Sequence, residues 1–93
     1  MPKNLTKRQI AKAEKIIERL GVGIEVSLDS YIKCEVEAKD RASENFHSGS
    51  LWGTLDTLVT LRLVTVKEMF LLDEYYKEKK TALRASLKKE EAA

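Results

Sequence analysis

The chain has 93 residues, 43% apolar and 34% charged, with a formal net charge of +2. That length sets one domain over residues 1–93 and a stability on the order of 5–10 kcal/mol. The composition excludes a disordered chain, and so small a net charge does not by itself imply nucleic acid.

The single Cys34 excludes an internal disulfide and fits a reducing compartment, so a cytoplasmic location is expected. The N-terminal stretch MPKNLTKRQ lacks the apolar segment of a signal peptide, and no apolar run approaches the roughly 18 residues of a membrane span. The charge is uneven. Residues 1–23 hold six basic and two acidic groups, hence +4; residues 24–63 hold four and seven, hence −3; residues 64–93 hold seven and six, hence +1.

Thr6-Lys7-Arg8-Gln9 has the form of a capping box, and Gly21 is placed to end the helix it starts. The spacing predicts a helix from Lys7 to Leu20 with Ile10, Ala13, Ile16, Ile17 and Leu20 on its apolar face. Arg8, Lys12, Lys15 and Arg19 fall on the opposite face at spacings of four, three and four. Such a stripe is a candidate phosphate-contacting surface or an ordinary solvated face, with Glu14 and Glu18 beside it.

From Val22 to Lys39 apolar and polar residues alternate on both sides of Asp29-Ser30-Tyr31. Period two predicts a small β-hairpin over about 22–38, with Val26 opposite Cys34. The competing reading is a helix from Leu28 to Phe46 with Leu28, Ile32, Ala42 and Phe46 on one face. It sets Glu35 and Lys39 in the middle of that face, which costs free energy unless they pair with each other. Asp40 to His47 then reads as a short helix, His47-Ser48-Gly49-Ser50 as a break, and Ser50 or Ser48 as the cap of the next helix. That helix carries Leu51, Trp52, Leu55, Leu58 and Val59 within one arc and ends near Arg62 or Leu63.

Thr65-Val66-Lys67-Glu68 is a second capping box, so a last helix starts at Val66. It is apolar nearly all round from Val66 to Tyr76, Phe70 included, which predicts burial on several sides. Beyond Tyr76 only Leu83 and Leu87 continue the stripe. This arm lies along the first helix or along a second chain, and Glu90 to Ala93 are expected to fray. The expected fold is mainly helical α+β: an N-terminal helix, a small hairpin, then a helical hairpin with a long C-terminal helix. The alternative is an all-α four-helix bundle.

No motif specifies catalysis, a cofactor or a metal. Glu44 and His47 have the Glu-x-x-His spacing of helical di-iron sites, but the chain has one His. Cys34 with His47 lacks the surroundings of an activated thiol. Asp73, Glu74 and Glu78 are surrounded by lysines, which predicts a salt-bridged surface. The amides between Gly49 and Gly53 make a weak anion site if a helix begins there. No small-molecule substrate and no membrane contact is expected. The expected function is a non-enzymatic protein-binding module, an adaptor, inhibitor or subunit, with Trp52, His47, Tyr76, Leu83 and Leu87 as candidate partner or self-association residues. The alternative is a nucleic-acid-binding regulator using Arg8, Lys12, Lys15 and Arg19.

Overall fold

In the computed structural model residues 5–92 are described, with side chains through Glu90. The order is α1 (Lys7–Leu20), α2 (Val22–Glu37), α3 (Arg41–Thr60) and α4 (Val66–Ala92). The described residues contain no strand, so the expected α+β fold is corrected to an all-helical one.

Both capping boxes form. The Gln9 amide donates to Thr6 Oγ1 at 3.1 Å, and the Thr6 amide donates to Gln9 Oε1 at 2.8 Å. The Glu68 amide donates to Thr65 Oγ1 at 3.1 Å, and the Thr65 amide donates to Glu68 Oε1 at 2.9 Å. Gly21 ends α1 at φ +100°, where a side chain would be strained. It is also the only residue between α1 and α2. Its carbonyl accepts from the Glu25 amide at 3.2 Å and so opens the second helix.

The expected hairpin over 22–38 is therefore overturned. Alternation had set Val22, Val26, Leu28, Ile32 and Val36 on one face of a strand. As a helix, α2 spreads them around its surface: Leu28, Ile32 and Glu35 are buried, while Val22 and Val26 are exposed. The objection to the helix was its charged residues. Glu35 is indeed buried, at 4% exposure, but Lys80 Nζ donates to its Oε1 at 2.9 Å. The partner comes from α4, a long way off in sequence, and Lys39 lies exposed beyond the helix end.

The break expected at His47–Ser50 is also absent. Asp40 caps α3 by accepting from the Ser43 amide at 2.7 Å, and the helix runs unbroken to Thr60. Ser50 caps nothing; its hydroxyl donates back to the Phe46 carbonyl at 3.0 Å. Gly49 and Gly53 lie inside the helix, where amides bond to preceding carbonyls, which removes the anion-site reading. The helix ends two residues before Arg62, in a Schellman turn. The Leu63 amide donates to the Leu58 carbonyl and the Arg62 amide to the Val59 carbonyl, both at 2.9 Å. Arg62 takes the left-handed position at φ +60°, which usually holds glycine.

Successive helices run antiparallel. The Leu5 amide meets Glu78 Oε1 at 3.0 Å while Arg19 reaches Glu68 at 3.1 Å, which sets α1 against the first half of α4. Arg84 bonds Glu44 at 2.9 Å where α3 begins. α1 and α3 flank the α2–α4 pair on opposite sides. All four helices feed one core, with Ala13, Leu28, Leu55, Leu72 and Tyr76 wholly removed from solvent.

The arm of α4 rests on α2 rather than on α1. Lys79 pairs with Asp29 at 2.9 Å, Lys80 pairs with Glu35, and half-buried Leu83 packs against the core. Leu87 lines an open groove together with Val36 and Ala38 at the end of α2. α4 is helical through Ala92; the rest of the expected fraying concerns Ala93, outside the described residues.

The Glu35–Lys80 pair yields a test. Lys80→Met leaves a carboxylate buried without a partner and should cost about 2–4 kcal/mol. The double change Lys80→Met with Glu35→Leu should recover most of it. Urea unfolding of the three chains reads both values. A single variant as stable as wild type would show that Glu35 finds another partner.

Candidate functional site: the outer seam of the α3–α4 hairpin

Two helix stripes face each other across the outside of the α3–α4 hairpin. On α4, Val66, Phe70, Asp73 and Lys77 recur at spacings of four, three and four. On α3, Trp52, Asp56 and Val59 recur at four and three. Side chains at these spacings stack along one edge of a helix. Trp52, Asp73 and Lys77 line the same cleft, which brings the two edges together. Trp52 is 45% exposed, Val66 53% and Phe70 54%.

The cleft holds about 310 Å³ and is floored by Ile32 and Glu35 of α2, Leu51 of α3 and Lys80 of α4. Its charges are mostly paired. Lys77 bonds Asp73 at 3.1 Å and approaches Glu74 at 3.7 Å, and the bond to Asp73 raises the lysine above its usual range. Lys80 holds Glu35. An indole rim over neutralised ion pairs can seat an apolar or aromatic side chain with polar groups at its edge. Among the described residues no group of three or more His, Cys, Asp or Glu is placed to hold a metal. Glu44 is engaged by Arg84, and His47 packs edge-on to Phe46 at 5.3 Å between ring centroids. Cys34 is a half-buried free thiol in α2.

Of the five partner residues expected from sequence, Trp52 alone lies on this seam. His47 is five residues earlier, about 140° around the helix at roughly 100° per residue. Leu83 and Leu87 are half-buried, Leu83 against the core. Tyr76 lines the cleft floor but is wholly buried, so its ring is taken up by the core of the monomer. Val66 and Phe70 were expected in the core. The clue to their exposure lies in the sequence: Asp73 and Lys77 continue their stripe, and a stripe ending in charges faces water.

The basic stripe is divided. Arg19 Nη2 donates to the Leu63 carbonyl and to Glu68 Oε1, both at 3.1 Å, and Nη1 donates to Glu68 Oε2 at 3.3 Å. It clamps the end of α1 to the α3–α4 connection. Arg8, Lys12 and Lys15 remain exposed. The Arg19 hydrogen bond, followed by the Thr65 amide, holds the Glu68 carboxyl below its usual range. A carboxylate with a depressed folded pKa stabilises the fold above its unfolded value, near 4.3, and that contribution is lost as pH falls through the folded value. The Tm gap between wild type and Glu68→Gln should therefore be widest near neutrality and close below about pH 4. A gap constant across pH would sink the assignment.

Among the described residues the buried Tyr76 hydroxyl finds no hydrogen-bond partner. Burial, then Asp29, Tyr75 and Glu25, raise it above the usual tyrosine range. An unpaired buried hydroxyl costs roughly 1–3 kcal/mol. Tyr76→Phe should therefore match or exceed wild-type stability by about 1 kcal/mol, read from denaturant midpoints. A loss above about 1 kcal/mol would mean that the hydroxyl is paired in solution.

No protein-family model, curated protein or solved structure matches the chain.

Proposed function

We propose that this chain is a non-enzymatic protein-interaction module, a small stoichiometric adaptor, inhibitor or subunit working in the cytoplasm. It engages its partner across the outer seam of the α3–α4 hairpin. The observation that carries this is the exposure of Trp52 at the rim of a cleft whose charges are already paired, with Phe70 and Val66 exposed further along the same edge of α4. Aromatic anchors beside a neutralised polar floor are what partner hot spots use. Acid–base chemistry has little support here, since Asp73 and Glu35 are each held by a lysine. The lone half-buried thiol and the lack, among the described residues, of a helix long and apolar enough to cross a membrane agree with this setting.

Nucleic-acid binding through α1 is the weaker alternative. A phosphate-tracking surface needs a continuous run of available cations. Arg19 is committed to Glu68 and Leu63, and Glu14 and Glu18 stand exposed beside Arg8, Lys12 and Lys15.

The test compares wild type with Trp52→Ala/Phe70→Ala as immobilised bait in lysate of the source cells, read by quantitative mass spectrometry. Both side chains are substantially exposed, so the variant should keep its Tm within a few degrees. Proteins retained by wild type should fall by about tenfold or more on the variant, as the loss of hot-spot anchors requires. Equal retention would move the partner site off this seam.

A further inference from the structure

The end of the bundle where the two tight turns meet carries charges that the monomer does not use. Arg19 ties the end of α1 to Leu63, so the α1–α2 turn at Gly21 and the α3–α4 turn over 61–65 close the same end. With α1 and α3 on opposite sides of the α2–α4 pair, the two turns form opposite edges of that end. Large apolar side chains crowd there. Val22 is 74% exposed and Leu61 62%; Leu63 and Val66 are each half exposed, and Val26 lies open one turn along α2.

The two edges differ in charge. Beside the α1–α2 turn, Glu18 and Glu25 line one recess with Gly21 and Val22. The α3–α4 edge carries Arg62 and Lys67. All four are exposed, and none makes an ion pair among the described residues. Two of them stand at the wrong helix end. Glu18 lies in the last turn of α1, at that helix's negative end, and Lys67 in the first turn of α4, at its positive end. Exchanging the two signs would suit the monomer better.

We propose that this end packs against the same end of a second copy, about a two-fold axis running between the turns. Each copy then sets its acidic α1–α2 turn on the basic α3–α4 turn of the other. The C-terminal end of α1 stacks on the N-terminal end of the second copy's α4. The N-terminal end of α2 stacks on the C-terminal end of its α3. Helix dipoles run head to tail across both junctions, Glu18 faces the positive end that carries Lys67, and Glu25 faces the side that carries Arg62. Charge complementarity selects the second copy, because the surface holds both signs in the order that its own rotated copy needs. Arg19, the cation at the end of α1, is already neutralised by Glu68. The other two-fold axis across this end lays each turn on itself and sets acid against acid. A uniformly charged partner, whether acidic or basic, meets one edge of like sign.

The size of the face fits. The molecule is 42 Å long and 30 by 27 Å across, which makes its end comparable to the ~800 Å² per partner of a standard interface. Burying the exposed valines and leucines there gives association with a Kd on the order of micromolar. The interface is centred on the turns rather than on the Trp52 cleft, so its failure leaves that assignment standing.

Sedimentation equilibrium of the whole chain from about 0.2 to 200 µM, a range that brackets such a Kd, tests it. Wild type should pass from monomer to dimer. Glu18→Lys and Lys67→Glu should each weaken association at least about tenfold, because each sets like charges together twice across the two-fold axis. Neither should lower Tm, since each new charge suits its own helix end. An equimolar mixture of the two variants should dimerise about as tightly as wild type, because each supplies the sign that the other needs. Wild type that stays monomeric throughout overturns the proposal, as does a mixture that associates no better than the variants alone.

Discussion

The bond from Lys80 to Glu35 is the interaction on which most of the architecture turns. A carboxylate removed from water needs a partner, and the free-energy cost of leaving it bare exceeds most other single terms in a chain of this size. Lys80 supplies that partner only if α2 is a helix and only if the arm of α4 lies along it. One ion pair thus removes the penalty that a helix over residues 22–37 would otherwise carry and holds the extension of α4 against the bundle. It also floors the cleft beside Trp52, so fold and candidate surface depend on the same two side chains.

What was legible in the sequence was local. Thr6 with Gln9 and Thr65 with Glu68 form their capping boxes because such boxes close within four residues and need nothing from the rest of the chain. Gly21 ends α1 for the same reason. What misled was decided at long range. Alternation over 22–36 is a true pattern, but an isolated two-stranded hairpin is marginal in water, whereas a helix satisfies its own backbone and leaves packing to three neighbours. The stabilising partner of Glu35 lies far along the chain, where no periodicity argument reaches. Ser48-Gly49-Ser50 has the composition of a break, but Leu51, Leu55 and Leu58 bury enough apolar surface to carry the helix through it.

The candidate surface was half legible. Trp52 stood out as a lone tryptophan at the edge of an apolar arc, and that edge position leaves its ring at the rim. Phe70 was obscured by its neighbours, since a segment apolar all round gives no phase to its helix. The phase comes from Leu72 and Tyr76, both wholly buried, which turn Val66 and Phe70 outward. Tyr76 shows the opposite mistake. Its spacing with Leu83 and Leu87 suggested a partner seam, yet its ring is among the largest wholly buried side chains.

The surfaces of the bundle divide by charge, and the division follows from what each helix must do internally. α1 buries Ala13, Ile16 and Ile17 and carries its cations outward, with Arg19 diverted to hold the α3–α4 connection. α4 needs its charges along its sides, where Asp73, Lys77, Lys79, Lys80 and Arg84 form ion pairs within the helix or with α2 and α3. α3 contributes one such pair, Glu44 to Arg84, near its start. Its remaining length is held chiefly by Leu51, Leu55 and Leu58, with Val59 beside them, and its outer stripe is exposed. A solvated stripe in so charged a chain would ordinarily carry lysine and glutamate, which favour helix and solubility. Phenylalanine, two glycines and inward-turned threonines do neither. The packing of α3 therefore leaves its outer stripe, Phe46 included, open to water, while its edge toward α4 carries the Trp52 rim of the cleft.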